Sequence, residues 1–152
     1  MEETARKTEF VTDRLIIRTP EERDAHDIFA LMSDREIAAS TGFRPMNTLS
    51  EAEGKIRREM DSGLMYCISE KSHPERNIGV FEITPHKTNT ASGEKCNYEI
   101  CYFLDKGARG KGYMTEVVER MKHYLFDERK ADSLTIAVLP RNDASRRVAL
   151  KS

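Results

Sequence analysis

The chain has 152 residues, the size of one ordinary domain, and a core that large forms without a disulfide or structural metal. Lys and Arg total 25 against 26 Asp and Glu; the net charge of -1 argues against a nucleic-acid footprint or attraction to an anionic membrane. Cys67, Cys96 and Cys101 are an odd set with no C-x-x-C, pointing to a reducing cytoplasm, and no apolar stretch is long enough to span a bilayer.

No repeat or linker divides the chain, so residues 1–152 read as a single domain. Residues 13–18 (D-R-L-I-I-R) have the look of a strand. Thr19-Pro20-Glu21-Glu22 is a helix entry, with Ile28, Phe29, Leu31 and Met32 as the apolar side of the helix that follows. Ser50-Glu51-Ala52-Glu53 is a capping-box pattern that opens a second helix through about Asp61. Leu64 to Ser69 is a short apolar run, and Asn77 to Thr84 alternates with a strand period. The polar segment from Pro85 to Lys95 predicts a long hairpin loop, and Asn97 to Leu104 predicts a strand. Tyr113, Val117, Val118, Met121, Tyr124 and Leu125 recur at helical spacing, which predicts an amphipathic helix from about Gly112 to Asp127. Leu134 to Leu139 is a further strand, stopped by Pro140, and Asn142 opens a last short helix. A strand, helix and strand in that order make 97–104 and 134–139 parallel neighbours. The fold class is therefore α+β, a mostly antiparallel sheet with one parallel pair, flanked by helices.

The sharpest motif is Gly107-Ala108-Arg109-Gly110-Lys111-Gly112, between a strand and the most periodic helix. Glycines allow close backbone approach, the helix start offers unpaired N–H groups, and Arg109 and Lys111 add charge, which together suit a phosphate or pyrophosphate. A Walker loop would need Ser or Thr after Lys111, and a dinucleotide fingerprint would need glycine at Thr115, so both fail. The alternative for this segment is a plain turn with two solvated basic residues.

R-G-K-G-Y-M-T-E, followed after a strand by L-P-R-N-D-A-S-R-R-V-A-L-K, resembles the GNAT superfamily of N-acetyltransferases. The similarity, which includes D-R-L-I-I-R-T and Y-E-I-C-Y-F-L, covers roughly residues 12–151 and is narrowest to the branch containing the ribosomal-protein N-terminal (alanine/serine) acetyltransferases. Arg109, Gly112 and Met114 occupy defined positions of that superfamily's acetyl-CoA loop, Met114 departing from the small residue expected there. The resemblance implies the GNAT acyl-CoA N-acyltransferase fold with a splayed parallel strand pair. It implies an acetyl-CoA-dependent transferase that acetylates a primary amine, either a ribosomal or other protein N-terminus or a small amine.

On this reading the pyrophosphate sits on backbone N–H groups at Arg109, Gly110, Lys111, Gly112, Tyr113 and Met114. The pantetheine arm pairs with backbone groups of Tyr102, Phe103 and Leu104, and one of those N–H groups polarises the thioester carbonyl. Glu99 is the candidate base, with a cross-strand ion pair as its alternative. Asn142 caps the last helix and, by resemblance, contacts the cofactor arm; Ser145 is the candidate acid for the leaving thiolate, or a first-turn residue only. Cys101 stands where the related strand often carries glycine. His26, His73, His86 and His123 lack ligand spacing, so no metal is expected. Asp24, Asp27 and Glu36 are candidates for attracting a cationic acceptor, with a plain solvated helix face as their alternative.

The family's K-x-G-F and two final strands are expected beyond Lys151-Ser152, so the resemblance implies a chain truncated at its C-terminus, with Leu134, Ile136 and Val138 on a sheet edge that invites aggregation or pairing with another chain, a homodimer among the options. The alternative function is then a catalytically defective CoA-binding fragment or pseudoenzyme.

Overall fold

The computed structural model describes residues 9–136. Its elements in chain order are β1 (Glu9–Val11), β2 (Leu15–Arg18), a 3-10 turn (Glu22–Asp24), α1 (Ala25–Met32), α2 (Arg35–Thr41), α3 (Leu49–Glu59), β3 (Met65–Glu70), β4 (Gly79–Thr90) and β5 (Gly93–Leu104). After a second 3-10 turn (Lys106–Ala108) come α4 (Tyr113–His123), a π-helical turn (Tyr124–Glu128) and β6 (Ser133–Ile136). The strands form one sheet in chain order, antiparallel throughout except for the parallel β5–β6 pair predicted from the crossover helix.

Strand alternation divides the core between the two faces of the sheet. Leu15, Ile17, Tyr66, Ile68, Phe81, Ile83, Tyr98, Ile100, Tyr102 and Leu104 pack under Tyr113, Val117, Val118 and Met121 of α4. Met65, Cys67, Val80 and Phe103 face the opposite way, against Ile28, Leu31, Ala52 and Ile56 of α1 and α3. The sheet is covered on both faces, which is why β3 is buried along most of its length rather than alternating with polar residues.

Several sequence-based boundaries move for identifiable reasons. The helix predicted from Ser50 is capped instead by Thr48, whose hydroxyl accepts the Glu51 N–H, while Glu51 reaches back to the Asn47 N–H. Helix α2 was not predicted; Asp34 caps it by accepting from Glu36 and Ile37, and Gly42 ends it at φ 95°. The predicted 85–95 loop is instead ordered hairpin, paired in unbroken register from Gly79↔Leu104 to Thr90↔Gly93. Pro85 fits inside β4 because of the strand's phase. The Ile83 N–H donates to the Leu64 carbonyl at 2.8 Å, so position 85 also turns toward the β3 side, past the start of β3, where a missing N–H removes no ladder bond.

Gly79 is needed for close approach. A Cβ there would lie 2.6 Å from Leu104 Cδ2 and 2.7 Å from the Phe103 carbonyl oxygen. Gly79→Ala forces the β4–β5 ladder apart just where it leads into the glycine loop, and a loss of about 1–3 kcal/mol is expected in urea unfolding. An unchanged midpoint would show that the strands shift freely here.

Arg18 and Asp24 form a bidentate ion pair at 2.8 and 2.7 Å, with only 6% and 1% of each residue exposed. Asp24 also accepts the Glu21 N–H at 2.7 Å, so one carboxylate ties β2 to the entry of α1. Burial and the neighbouring Asp24 together push the Cys67 thiol far up, keeping it neutral.

Candidate active site

The glycine loop begins where β5 ends. Asp105 donates its N–H to the Ile78 carbonyl and its side chain accepts from Gly107, which starts the 3-10 turn. The Arg109 N–H closes that turn on the Lys106 carbonyl at 3.3 Å, so it is already committed. Gly110 and Gly112 then take φ of 78° and 81°, a left-handed geometry costly to any residue with a Cβ, and turn the chain into α4. No side chain caps α4, and its first backbone bond runs from Glu116 N–H to the Gly112 carbonyl. Among the described residues, the N–H groups of Gly110, Lys111, Gly112, Tyr113 and Met114 meet no acceptor. The space a Cβ would fill at Gly110 is clear to 4 Å. These donors and that open surface fit a pyrophosphate. The Met114 side chain is buried in the core under α4, and its N–H lies at the helix start.

The charged side chains are less available than the sequence suggested. Arg109 donates through Nε to the Leu104 carbonyl at 3.1 Å and lies 3.7 Å from Glu36. Lys111 Nζ lies over the Tyr113 ring, 5.8 Å from its centroid. Tyr113 donates its hydroxyl to Glu70 at 2.6 Å; that bond holds the Glu70 carboxyl below its ordinary range and raises the phenol. Arg14, a residue not singled out in the sequence, reaches across from the β1–β2 turn. Its Nη1 donates to the Lys111 carbonyl at 2.9 Å, its Nε and Nη2 meet Glu116 at 2.9 and 2.8 Å, and its guanidinium stacks 4.7 Å from the Tyr113 centroid. Thr12 and the Arg14 N–H also donate to Glu116. Partial burial alone would raise the Glu116 carboxyl, but these bonds outweigh it and hold it below the ordinary range. A depressed carboxylate contributes stability above its unfolded pKa and loses it as pH falls through the folded one, so the loop's anchor weakens in acid.

The register decides which backbone groups of β5 point where. Ile83 bonds to β3, so Ile100, Tyr102 and Leu104, in the opposite phase to the β4-bonded positions, turn their backbone groups toward the β6 side. Phe103 instead faces Val80 in the β4 ladder, so of the three candidates Tyr102 and Leu104 turn toward the β6 side and Phe103 does not. Among the described residues the β5–β6 pairing runs from Asn97↔Ser133 to Ile100↔Ile136.

Glu99 and Cys101 lie on the α1–α3 face. Glu99 is 40% exposed at its side chain and its Oε1 meets His86 Nε2 at 3.0 Å. Beside it Cys101 stands opposite Glu82, which pairs with Lys55 of α3 at 2.7 Å. Burial, reinforced by Glu82 and Glu99, pushes the Cys101 thiol up to about 11. Phe43, after α2, packs on Phe103 with centroids 5.3 Å apart, closing the loop end of this face. The three acids singled out for a cationic acceptor are otherwise engaged: Asp24 with Arg18, Asp27 with the Asn77 N–H, and Glu36 toward Arg109. Asn142, Ser145 and the end of the strand predicted at 134–139 lie outside the described residues. Among the described residues no group of His, Cys, Asp and Glu could hold a metal, and no helix is long and apolar enough to cross a membrane.

Comparison with known proteins places this geometry. An uncharacterised protein of Bacillus subtilis, YkkB, is 28% identical over 148 residues, covering 95% of this chain and 84% of that protein. Among solved structures, a ribosomal-protein-S5-alanine acetyltransferase from Vibrio fischeri superposes with a TM-score of 0.72 at 21% identity, over 95% of this chain and 81% of that one. The microcin self-immunity acetyltransferase MccE, solved with acetyl-CoA and AMP, gives 0.70 at 18% identity, over 92% and 78%. Residues 14–152 match the Acetyltransferase (GNAT) domain family across most of the chain, and the protein is a member of that family.

Proposed function

We propose that this protein transfers the acetyl group of acetyl-CoA to a primary amine, on a protein N-terminus or a small molecule, in the cytoplasm. The observation that carries the reading is the row of N–H donors from Gly110 to Met114, at the start of α4, that meet no acceptor among the described residues, beside a loop surface open at Gly110. The solved complex of MccE with acetyl-CoA supports the choice of donor.

In this proposal the loop amides and the α4 N-terminus hold the pyrophosphate, and Tyr102 together with the N–H of Leu104, whose carbonyl is held by Arg109, aligns the pantetheine arm. The donor supplies an activated thioester. The amine arrives from the α1–α3 face, where Glu99, paired with His86, takes its proton directly or through a water. Neutral Cys101, with its thiol raised to about 11, is not a nucleophile at physiological pH, so the amine attacks the thioester directly. Cys101→Ser is therefore expected to retain turnover, while Asn142 and Ser145 keep their proposed roles toward the arm and the leaving thiolate.

The test is the thermal midpoint with acetyl-CoA, with ADP as control. At a thousandfold excess over Kd, specific binding adds about 4 kcal/mol of stability. A raised midpoint with acetyl-CoA and little change with ADP supports the reading; no shift in folded protein removes it.

A further inference from the structure

Among the charged groups around the glycine loop, Arg14 is bonded to the carbonyl that directly precedes Gly112 and the start of α4. In a trans peptide the carbonyl and the following N–H point to opposite sides of the chain. The Arg14 Nη1 bond at 2.9 Å draws the Lys111 carbonyl toward the β1–β2 turn, so the Gly112 N–H is turned to the other side of the loop, among the uncommitted donors. Gly112, at φ 81° and without a side chain, cannot hold that peptide plane by itself.

A second problem is met by the same guanidinium. Glu116 lies in the first turn of α4, where its charge opposes binding of an anion to the helix start. Arg14 neutralises it through Nε and Nη2, and Thr12 and the Arg14 N–H complete its hydrogen bonds. The stacked ring of Tyr113, tied through its hydroxyl to Glu70, fixes the guanidinium plane from the loop side. A lysine cannot span these contacts, because the arrangement uses a planar fork directed at a carboxylate and a carbonyl at once.

We infer that Arg14 is a positioning residue for the donor site: it presets the Lys111–Gly112 peptide and screens Glu116, so that the loop accepts the pyrophosphate without rearranging. This rests on the function proposed above.

The experiment compares Arg14→Gln, Arg14→Lys and, as control, Arg120→Ala, an arginine of α4 that packs 4.9 Å from the Phe10 centroid. Each is assayed with acetyl-CoA and with S-acetylpantetheine, which lacks the pyrophosphate, well below its thermal midpoint. Both Arg14 variants are expected to raise KM for acetyl-CoA by about 10- to 100-fold, with kcat, the acceptor KM and kcat/KM for S-acetylpantetheine little changed. Arg120→Ala should leave all of these in place. An equal loss with both donors, or full rescue by lysine, would overturn the positioning role while leaving the transferase reading intact. Failure of the wild-type protein to bind acetyl-CoA would remove the transferase reading, and this inference with it.

Discussion

Asp24→Ala is expected to destabilise the protein by about 3–5 kcal/mol, the cost of leaving a buried guanidinium without its partner. Arg18 keeps 7% side-chain exposure, so water cannot replace the two lost bonds, and the Glu21 N–H loses its acceptor as well. The pair is not worth that much as a net contribution, since burying both charges costs nearly what their attraction returns. The loss arises because one partner is removed and the other stays. Arg18→Met with Asp24→Ala should therefore be milder than Asp24→Ala alone, which a double-mutant cycle in urea measures. A single-variant loss below about 1 kcal/mol would show that Arg18 reaches solvent on its own. Position extends the effect to function: the pair fixes the entry of α1, a helix that packs on the face of the sheet proposed to receive the acceptor.

Glu99→Gln is expected to lower kcat by about 100- to 10,000-fold for an acceptor that must lose a proton, with KM for acetyl-CoA unchanged. The loss should be larger for a lysine-type amine, whose ordinary pKa is about 10.4, than for an α-amino group at about 7.7–8.0. If Glu99 serves only as a cross-strand partner of His86, the same substitution changes stability by a few tenths of a kcal/mol at most and leaves turnover alone. The rate profile with the two acceptor types separates these outcomes.

The sequence was most legible where hydrophobic period and length agreed. The α4 segment repeats apolar residues at helical spacing, and the crossover from β5 through α4 to β6 allowed one handedness and one strand direction. The β4–β5 arm reads as a loop because its distal half is polar on both faces and exposed, so no alternation marks it as paired strand. Helix α2 is short and begins from an Asp34 cap, with only Ile37 and Ala38 buried, too few to set a period.

The glycine loop was readable as an anion site because glycine placement and charge are local properties. Its anchoring was not, because Arg14 lies some hundred residues away from Glu116 and Lys111 and meets them only through the sheet. Candidates by charge for attracting a cationic acceptor, Asp24, Asp27 and Glu36 each meet a partner in the fold: Asp24 the nearby Arg18, Asp27 and Glu36 the sequence-distant Asn77 and Arg109.

The most direct measurement is amine-dependent release of free thiol from acetyl-CoA, with mass-spectrometric detection of the acetylated acceptor. Peptides with free α-amino groups, lysine-containing peptides blocked at the N-terminus, and small polyamines would be offered in parallel. Acceptor-dependent thiol release with one acetyl group added at nitrogen, suppressed in Glu99→Gln, is the predicted result. Tight acetyl-CoA binding with no acceptor-dependent release across all three classes would contradict it and leave a protein that holds the donor without using it.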